Sequence, residues 1–367
     1  MTTLADIFQL YGAEYIDKFG ERILPSHKKV IQDVLVCRTK LMGGHTWYCE
    51  NCREYHYNYH SCRNRNCPQC QNERCEEWLE KQIEKLLPVE YFMTTFTLPE
   101  KLRSVVRSHQ KECYSILFQS SADSLKKLAL DKRFCGGAIG MTGVLHTWSR
   151  QLTFHPHIHF MIPGIAISED KQKITSSKDG FLMRVEPLSI IFRAKFRDAM
   201  KKAGLFELVP SEVWQQDWVV HIESVGNGEN ALKYLAPYVY RIAISNSNIL
   251  RCANGYVSFR YKDSKSGQTK TMTVTAMEFM RRYLSHVLPK GFQKVRYFGF
   301  LHPKNKKLLN ILRLLLHSKI QFNESKVSLP FVFKCPVCGR NMTLMDKTLR
   351  QRAPPLSALL SLQKDTN

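Results

Sequence analysis

Apolar residues recur at three- and four-residue spacing near the start of the chain: Leu4, Ile7, Phe8, Leu10 and Tyr11, then Val30, Ile31, Val34 and Leu35. That period predicts two helices within residues 1–36, with Pro25 and Ser26 at the turn between them. Trp78, Leu79, Ile83, Leu86 and Leu87 repeat the pattern over residues 72–87, and Pro88 stops it. Tyr91–Thr97 is β-branched and aromatic, which predicts a strand ended by Leu98-Pro99. Residues 100–132 read as one or two helices, broken by Gly136-Gly137. Met141–Trp148 follows as a strand, and Leu152–Phe160 as another, with His155, His157 and His159 at every second position. A helix over 187–204, a strand over 218–225, a helix from about Glu229 to Ile244 and a leucine-faced basic helix over Lys304–Ile320 complete the pattern. Strands with helices inserted between them predict an α+β fold with a mainly antiparallel central sheet flanked by helices.

Composition narrows the class of partner. The chain has 367 residues, 44% of them hydrophobic, enough for a sizeable core and two or three domains. Its 54 Lys+Arg against 32 Asp+Glu give a formal net charge of +22, which predicts a polyanionic partner, nucleic acid ahead of an anionic membrane. The charge is unevenly placed: residues 281–320 hold ten Lys or Arg and no acid, a segment suited to tracking phosphates. No run approaches 18 apolar residues, so no membrane span is expected. The first residues lack the basic start and apolar block of a secretion signal. With twelve cysteines, that predicts a reducing compartment and metal ligation in place of disulfides.

Seven of those cysteines fall between Cys37 and Cys75. Cys49 and Cys52, and Cys67 and Cys70, form two C-x2-C pairs fourteen residues apart, and two such knuckles complete a tetrahedral structural Zn2+ site. Cys37, His45 and Cys62 are surplus candidates for a second site or for replacing a member of the first. Arg53, Arg63, Arg65 and Arg74 surround the knuckles, making a small zinc-ribbon-like module suited to DNA docking. Cys335 and Cys338 form one further knuckle with no second half near it in sequence. The expected domains are residues 1–90, helical and zinc-binding; 91–302, catalytic; and 303–367, with the basic helix, the last knuckle and a tail.

The chemistry centres on the histidine strand. His157 and His159 point the same way and can converge on one metal ion, while Pro156 can turn His155 aside into a supporting role. Glu223, on the strand preceding the next helix, is the candidate third ligand. That helix carries Tyr234 and Tyr238, four apart and so on one face, with Lys233 and Arg241 as cations for a DNA phosphate.

These stretches together resemble the two-tyrosine transposases of the HUH (His-hydrophobe-His) endonuclease superfamily, of the insertion-sequence ninety-one type that moves by a rolling-circle route. The resemblance rests on Ser61–Cys70, Phe96-Thr97-Leu98-Pro99, His155–His159, Tyr234-Leu235-Ala236-Pro237-Tyr238 and Tyr297-Phe298-Gly299-Phe300-Leu301, in that order, over roughly residues 10–340. It implies an HUH endonuclease-like domain in which His157 and His159 hold Mg2+ or Mn2+ against a phosphate of single-stranded DNA. It also implies that Tyr234 or Tyr238 attacks the phosphorus, leaving a 5′-phosphotyrosine link and a free 3′-hydroxyl. The implied partners are single-stranded DNA at mobile-element ends and target DNA, with a host helicase as an optional further one, in the bacterial cytoplasm at the nucleoid. The same chemistry would serve a plasmid rolling-circle replication initiator or relaxase, and a non-catalytic zinc-ribbon DNA-binding regulator would share the cysteine module. The zinc module and basic C-terminal block favour the transposase.

Overall fold

A computed structural model of the chain describes residues 2–70, 72–240, 243–263, 266–316 and 332–361. The chain divides into two compact units, each assembled from separated segments. One contains Met1–Glu73, Arg241–Val287 and Phe322–Asn367; the other contains Arg74–Tyr240 and Leu288–Gln321. Both are mixtures of helices and antiparallel sheets, in keeping with the expected α+β class.

In the first unit, the helices Leu4–Phe19 and Pro25–Val36 form where the apolar period placed them. Thr3 caps the first: its hydroxyl accepts from the Asp6 N–H, and the Asp6 carboxylate accepts from the Thr3 N–H in return. The strands Gly44–Cys49 and Glu54–Tyr59 make a hairpin, and Thr343–Thr348 pairs with the other side of Gly44–Cys49. A second three-stranded sheet, Ile249–Ala253, Tyr256–Lys262 and Thr269–Thr275, was not anticipated from the periodicity. Its signal was Asn254-Gly255: both have positive φ (52° and 78°), the two-residue turn that matches strand twist. Phe259 from this sheet packs on Phe279 of the helix Ala276–Leu284, ring centroids 5.7 Å apart.

The second unit is organised by a five-stranded antiparallel sheet. Its strands lie in the order Val295–Phe298, Met141–Trp148, Phe154–Pro163, Tyr91–Thr97, Val220–Ser224. One face carries the main core: Phe92, Phe96, Leu145, Ile158, Phe160 and Ile162 pack against Leu117 and Phe118 of the helix Gln110–Ala129 and Phe192 and Phe196 of the helix Val185–Lys202. Each such ring or branched side chain contributes about 1.5–3 kcal/mol by leaving water. This face anchors the sheet, and the histidines stand on the other. The helix beginning at Asn72 ends at Ile83, short of the expected residue 87. Beyond it the Leu87 N–H donates to the Tyr91 hydroxyl at 2.8 Å, and Pro88 forbids continuation. The leucine-faced helix runs Lys306–Leu315; the expected continuation through residues 317–320 lies outside the described residues.

The Tyr297–Leu301 stretch has a backbone reason for its glycine. Gly299 sits at φ +58°, and a Cβ there would lie 1.7 Å from the Ile139 carbonyl oxygen. Gly291, at φ +75°, faces open space. Replacing Gly299 by Ala is therefore expected to destabilise this unit by about 3 kcal/mol or more, left-handed strain plus a backbone clash, whereas Gly291→Ala costs only the strain of about 1–2 kcal/mol. Urea unfolding of the two variants checks the ordering.

Candidate metal centres and the tyrosine helix

Opposite residues in neighbouring strands share a face, so the register of the central sheet defines its rungs. His146, His157 and Thr97 stand on one; Val144, His159, Thr95 and His221 on the next; Thr142, Met161, Met93 and Glu223 on the third. The ring nitrogens of His146, His157 and His159 come within 4.8 Å of one another. His146 was absent from the residues singled out in the sequence. Counting back from the Trp148–Phe154 pair would set it opposite Pro156; a bulge between His146 and Trp148 shifts the register by one residue and brings it opposite His157.

Glu223 does not join this group. It is on the same face, but two strands away from the histidine strand and one rung along, roughly 10 Å to the side. It is exposed and lies 3.8 Å from His221, also exposed. Glu223, expected beside His157 and His159, is therefore not brought to them; the side chain that the sheet does bring there is His146. His155 stands outside the trio, its Nδ1 accepting from an Arg103 guanidinium nitrogen at 2.8 Å.

The neighbours of the trio prepare it to donate. The His157 Nδ1–H reaches the His155 carbonyl at 2.7 Å, and His159 Nδ1 lies 2.9 Å from the Thr95 hydroxyl. Both contacts engage Nδ1 and leave Nε2 for a ligand role. Burial pushes His157 down to about 3 and His159 to about 4, and it lowers fully buried His146 further below the usual imidazole range. At neutral pH all three are uncharged nitrogen donors. Such a set fits Mn2+ and other imidazole-accepting ions better than Mg2+, which prefers oxygen. His146 also stacks on Trp148, ring centroids 5.7 Å apart and nearly parallel, which fixes its ring plane.

The helix Glu229–Tyr240 packs on this same face. Its Ala231, Leu232, Leu235 and Ala236 are buried in a cluster with Tyr91, Met93, Val144 and Met161. Tyr234 and Tyr238 are carried by this helix; their side chains, and Arg241 as a whole, lie outside the described residues. Lys233 is exposed and pairs with Glu229, one turn back, at 2.7 Å.

The cysteines form two clusters, not the single Cys49–Cys52–Cys67–Cys70 site expected. Cys37, Cys62, Cys67 and Cys70 make one; Cys49, Cys52, Cys335 and Cys338 make the other. The reason is the length of the hairpin. Cys49 and Cys52 lie at its turn, whereas Cys37 and Cys62 flank its open end, and six-residue strands separate the two by roughly 17–20 Å. His45 belongs to neither cluster and packs edge-on against His60, centroids 4.8 Å apart. Sulfur separations of 3.4 Å (Cys37–Cys70), 3.5 Å (Cys62–Cys70), 3.6 Å (Cys49–Cys338) and 3.9 Å (Cys52–Cys335) fit the tetrahedral edge of about 3.8 Å that Zn–S bonds of about 2.3 Å require. The crowding also sets thiols against one another: the Arg340 backbone N–H, with hydrogen bonds from Cys52, Cys49 and Cys335, brings Cys338 down to about 6, while the Cys338 sulfur pushes Cys52 up to about 12. A divalent cation resolves that conflict by letting all four ionise.

Comparison with known proteins finds two family matches. Residues 7–98 match the family described as "Transposase zinc-binding domain" and residues 140–308 the family described as "Putative transposase". The chain is 36% identical over 318 residues to "Putative transposase y4qJ" of Sinorhizobium fredii, covering 81% of this chain and 80% of that one. It is 25% identical over 350 residues to the transposase for insertion sequence element IS801 of Pseudomonas savastanoi pv. phaseolicola, covering 86% and 82%. No solved structure matches. Among the described residues, no helix is long and apolar enough to cross a membrane.

Two measurements follow from these centres. Metal analysis of the purified chain is expected to give two zinc ions, Cys338→Ser and Cys62→Ser each leaving one; retention of two in Cys338→Ser would separate the last knuckle from metal binding. For the imidazoles, the folded state stays neutral while the unfolded state takes up protons below about pH 6.5, so acid costs stability. Each histidine should remove on the order of 1 kcal/mol per pH unit, from about 6.5 down to about 4 for His159 and about 3 for His157. His157→Gln should therefore show a shallower fall than the native chain in urea unfolding between pH 7 and 4.5.

Proposed function

The chain belongs to the insertion-sequence ninety-one family of transposases with an N-terminal zinc-binding domain, and from that premise we propose that it cuts and rejoins single-stranded DNA through a tyrosine, as HUH endonucleases do. Membership sets aside the plasmid-initiator and regulator alternatives. The observation that carries the proposal is the shared face: three neutral imidazoles and the helix bearing Tyr234 and Tyr238 occupy the same side of one sheet.

The chemistry follows from what each group can supply. A free phenol has a pKa near 10, so about one in a thousand is ionised at neutral pH, a deficit of roughly 4 kcal/mol that the site must offset. A divalent ion held by His146, His157 and His159, Mn2+ by preference, would supply Lewis-acid polarisation of the scissile phosphate. The tyrosine oxygen bonds to phosphorus, the bond to the 3′-oxygen breaks, and the departing 3′-oxygen takes a proton. One phosphoester replaces another, so rejoining is close to energy-neutral and requires no nucleotide hydrolysis. A second tyrosine allows a second strand to be held while the first awaits transfer. Lys233 on the exposed side of the helix, and Arg241 beyond it, are proposed to meet the DNA backbone; the substrate ends are those of the mobile element and its target.

The test is a denaturing gel for a covalent protein–DNA adduct, formed on single-stranded element-end DNA. Mn2+ is expected to exceed Mg2+ in rate by about tenfold or more. His146→Ala should lower adduct formation at least a hundredfold, and replacing both tyrosines by Phe should abolish it, while Glu223→Gln stays near the native rate. Loss in Glu223→Gln with retention in His146→Ala would overturn the ligand assignment, and no adduct with either metal would overturn the mechanism.

A further inference from the structure

The hairpin of the zinc-binding unit carries a row of aromatic side chains that its core does not use. Tyr55, Tyr57 and Tyr59 alternate along one face of the strand Glu54–Tyr59, and Tyr48 stands opposite Tyr55 on the neighbouring strand. The Tyr48 and Tyr55 rings lie 4.9 Å apart; those of Tyr57 and Tyr59 lie 6.4 Å apart and within 15° of parallel. The core forms on the other face, where Trp47 and Cys49 pack with Phe333, Cys335 and Met342. Tyr55 is 55% and Tyr57 64% exposed. Four rings on the solvent side of one hairpin are therefore kept for something other than folding.

We propose that this tyrosine face is a nucleobase-stacking site for single-stranded DNA, separate from the cleavage centre. Three observations fit that occupant. Side chains two apart on a strand repeat at roughly 6.8 Å, twice the 3.4 Å rise between stacked bases, so a ring can enter between successive bases of a splayed strand. Single strands expose both base faces for such contacts, whereas a duplex hides them. The surrounding segments are basic: residues 37–65 and 332–361 hold ten Lys or Arg against three acids, a balance that stays positive after the two negative charges each four-thiolate zinc site carries. Asp346, on the third strand opposite Thr46, is the acid of this set that shares the tyrosine face. Stacking tolerates any base, so the face gives grip on a strand without choosing its sequence. The proposal rests on the single-strand mechanism above only for the choice of polymer.

The test uses the full chain, fluorescence anisotropy, and a labelled 20-residue oligothymidylate beside a duplex of equal length. Tyr55→Ala with Tyr57→Ala is expected to weaken single-strand binding about tenfold or more, to change duplex binding less than twofold, and to leave the salt dependence intact because stacking releases no counterions. Tyr55→Phe with Tyr57→Phe should bind as the native chain does. Zinc content shows whether the double-alanine variant has kept its module. Independently of any variant, photocrosslinking of an iodouracil-containing strand should label Tyr55 or Tyr57 in the native chain. Unchanged single-strand affinity in the alanine variant, equal losses for duplex, or crosslinks confined to other residues would each overturn the proposal. So would self-association that depends on these tyrosines with strand affinity unaltered, which would make the face a contact between copies. Adduct formation at saturating strand concentration separates the two ideas: tyrosine-dependent binding without any adduct refutes the cleavage mechanism and leaves the stacking site standing.

Discussion

The antiparallel pairing of Met141–Trp148 with Phe154–Pro163 is the constraint on which the centre of this protein depends. Strand side chains alternate faces, so a slip of one residue in that pairing would part His146 from His157 and His159, sending the imidazoles of one strand to the core side and its core side chains to the other. The slip is opposed from both directions. Leu145, Ile158 and Phe160 are wholly buried against two helices, and moving them out would cost far more than any local rearrangement could return. Packing on one face thereby positions the three imidazoles on the other, without a loop holding them in place.

The same arrangement sets the charge state of the site. Burial that would be a penalty for charged imidazoles keeps His157 and His159 neutral near pH 7, and their Nδ1 contacts leave the other ring nitrogen uncommitted to those partners. Desolvation and hydrogen bonding together thus keep the trio in the neutral form that a metal ligand requires. Gly299 belongs to this logic at a distance: its backbone lies against Ile139, just before the strand that carries His146, and no side chain fits between them.

Much of this was legible in the sequence because it follows from period. The strand Tyr91–Thr97 falls where its composition placed it, the strand Met141–Trp148 likewise, and the alternating histidines do share a face. The tyrosine helix begins at Glu229 as its turn residues indicated. What the sequence withheld concerns residues far apart. Cys335 and Cys338 had no visible partner because their partners lie more than 280 residues earlier, and Cys67 and Cys70 were credited to the wrong knuckle because spacing along the chain does not report which end of a hairpin a cysteine occupies. Glu223 was chosen for its place before the tyrosine helix; strand order, which period alone does not fix, put two strand spacings between it and the histidines. The sheet from Ile249 to Thr275 was overlooked although Asn254-Gly255 marks its turn.

The cluster of Cys49, Cys52, Cys335 and Cys338 has a consequence for the order in which the protein can mature. A ribosome delivers the last two sulfurs more than 280 residues after the first two, so this site stays half-built while all the intervening residues emerge. The Cys37–Cys70 cluster is complete far sooner, once its 34-residue stretch is exposed. One zinc ion can thus be taken up soon after Cys70 emerges, but the other only once Cys338 has followed. A copy interrupted by a frameshift or early stop would lack that second ion and the strand Thr343–Thr348 beside it, so metal content would distinguish intact from truncated products.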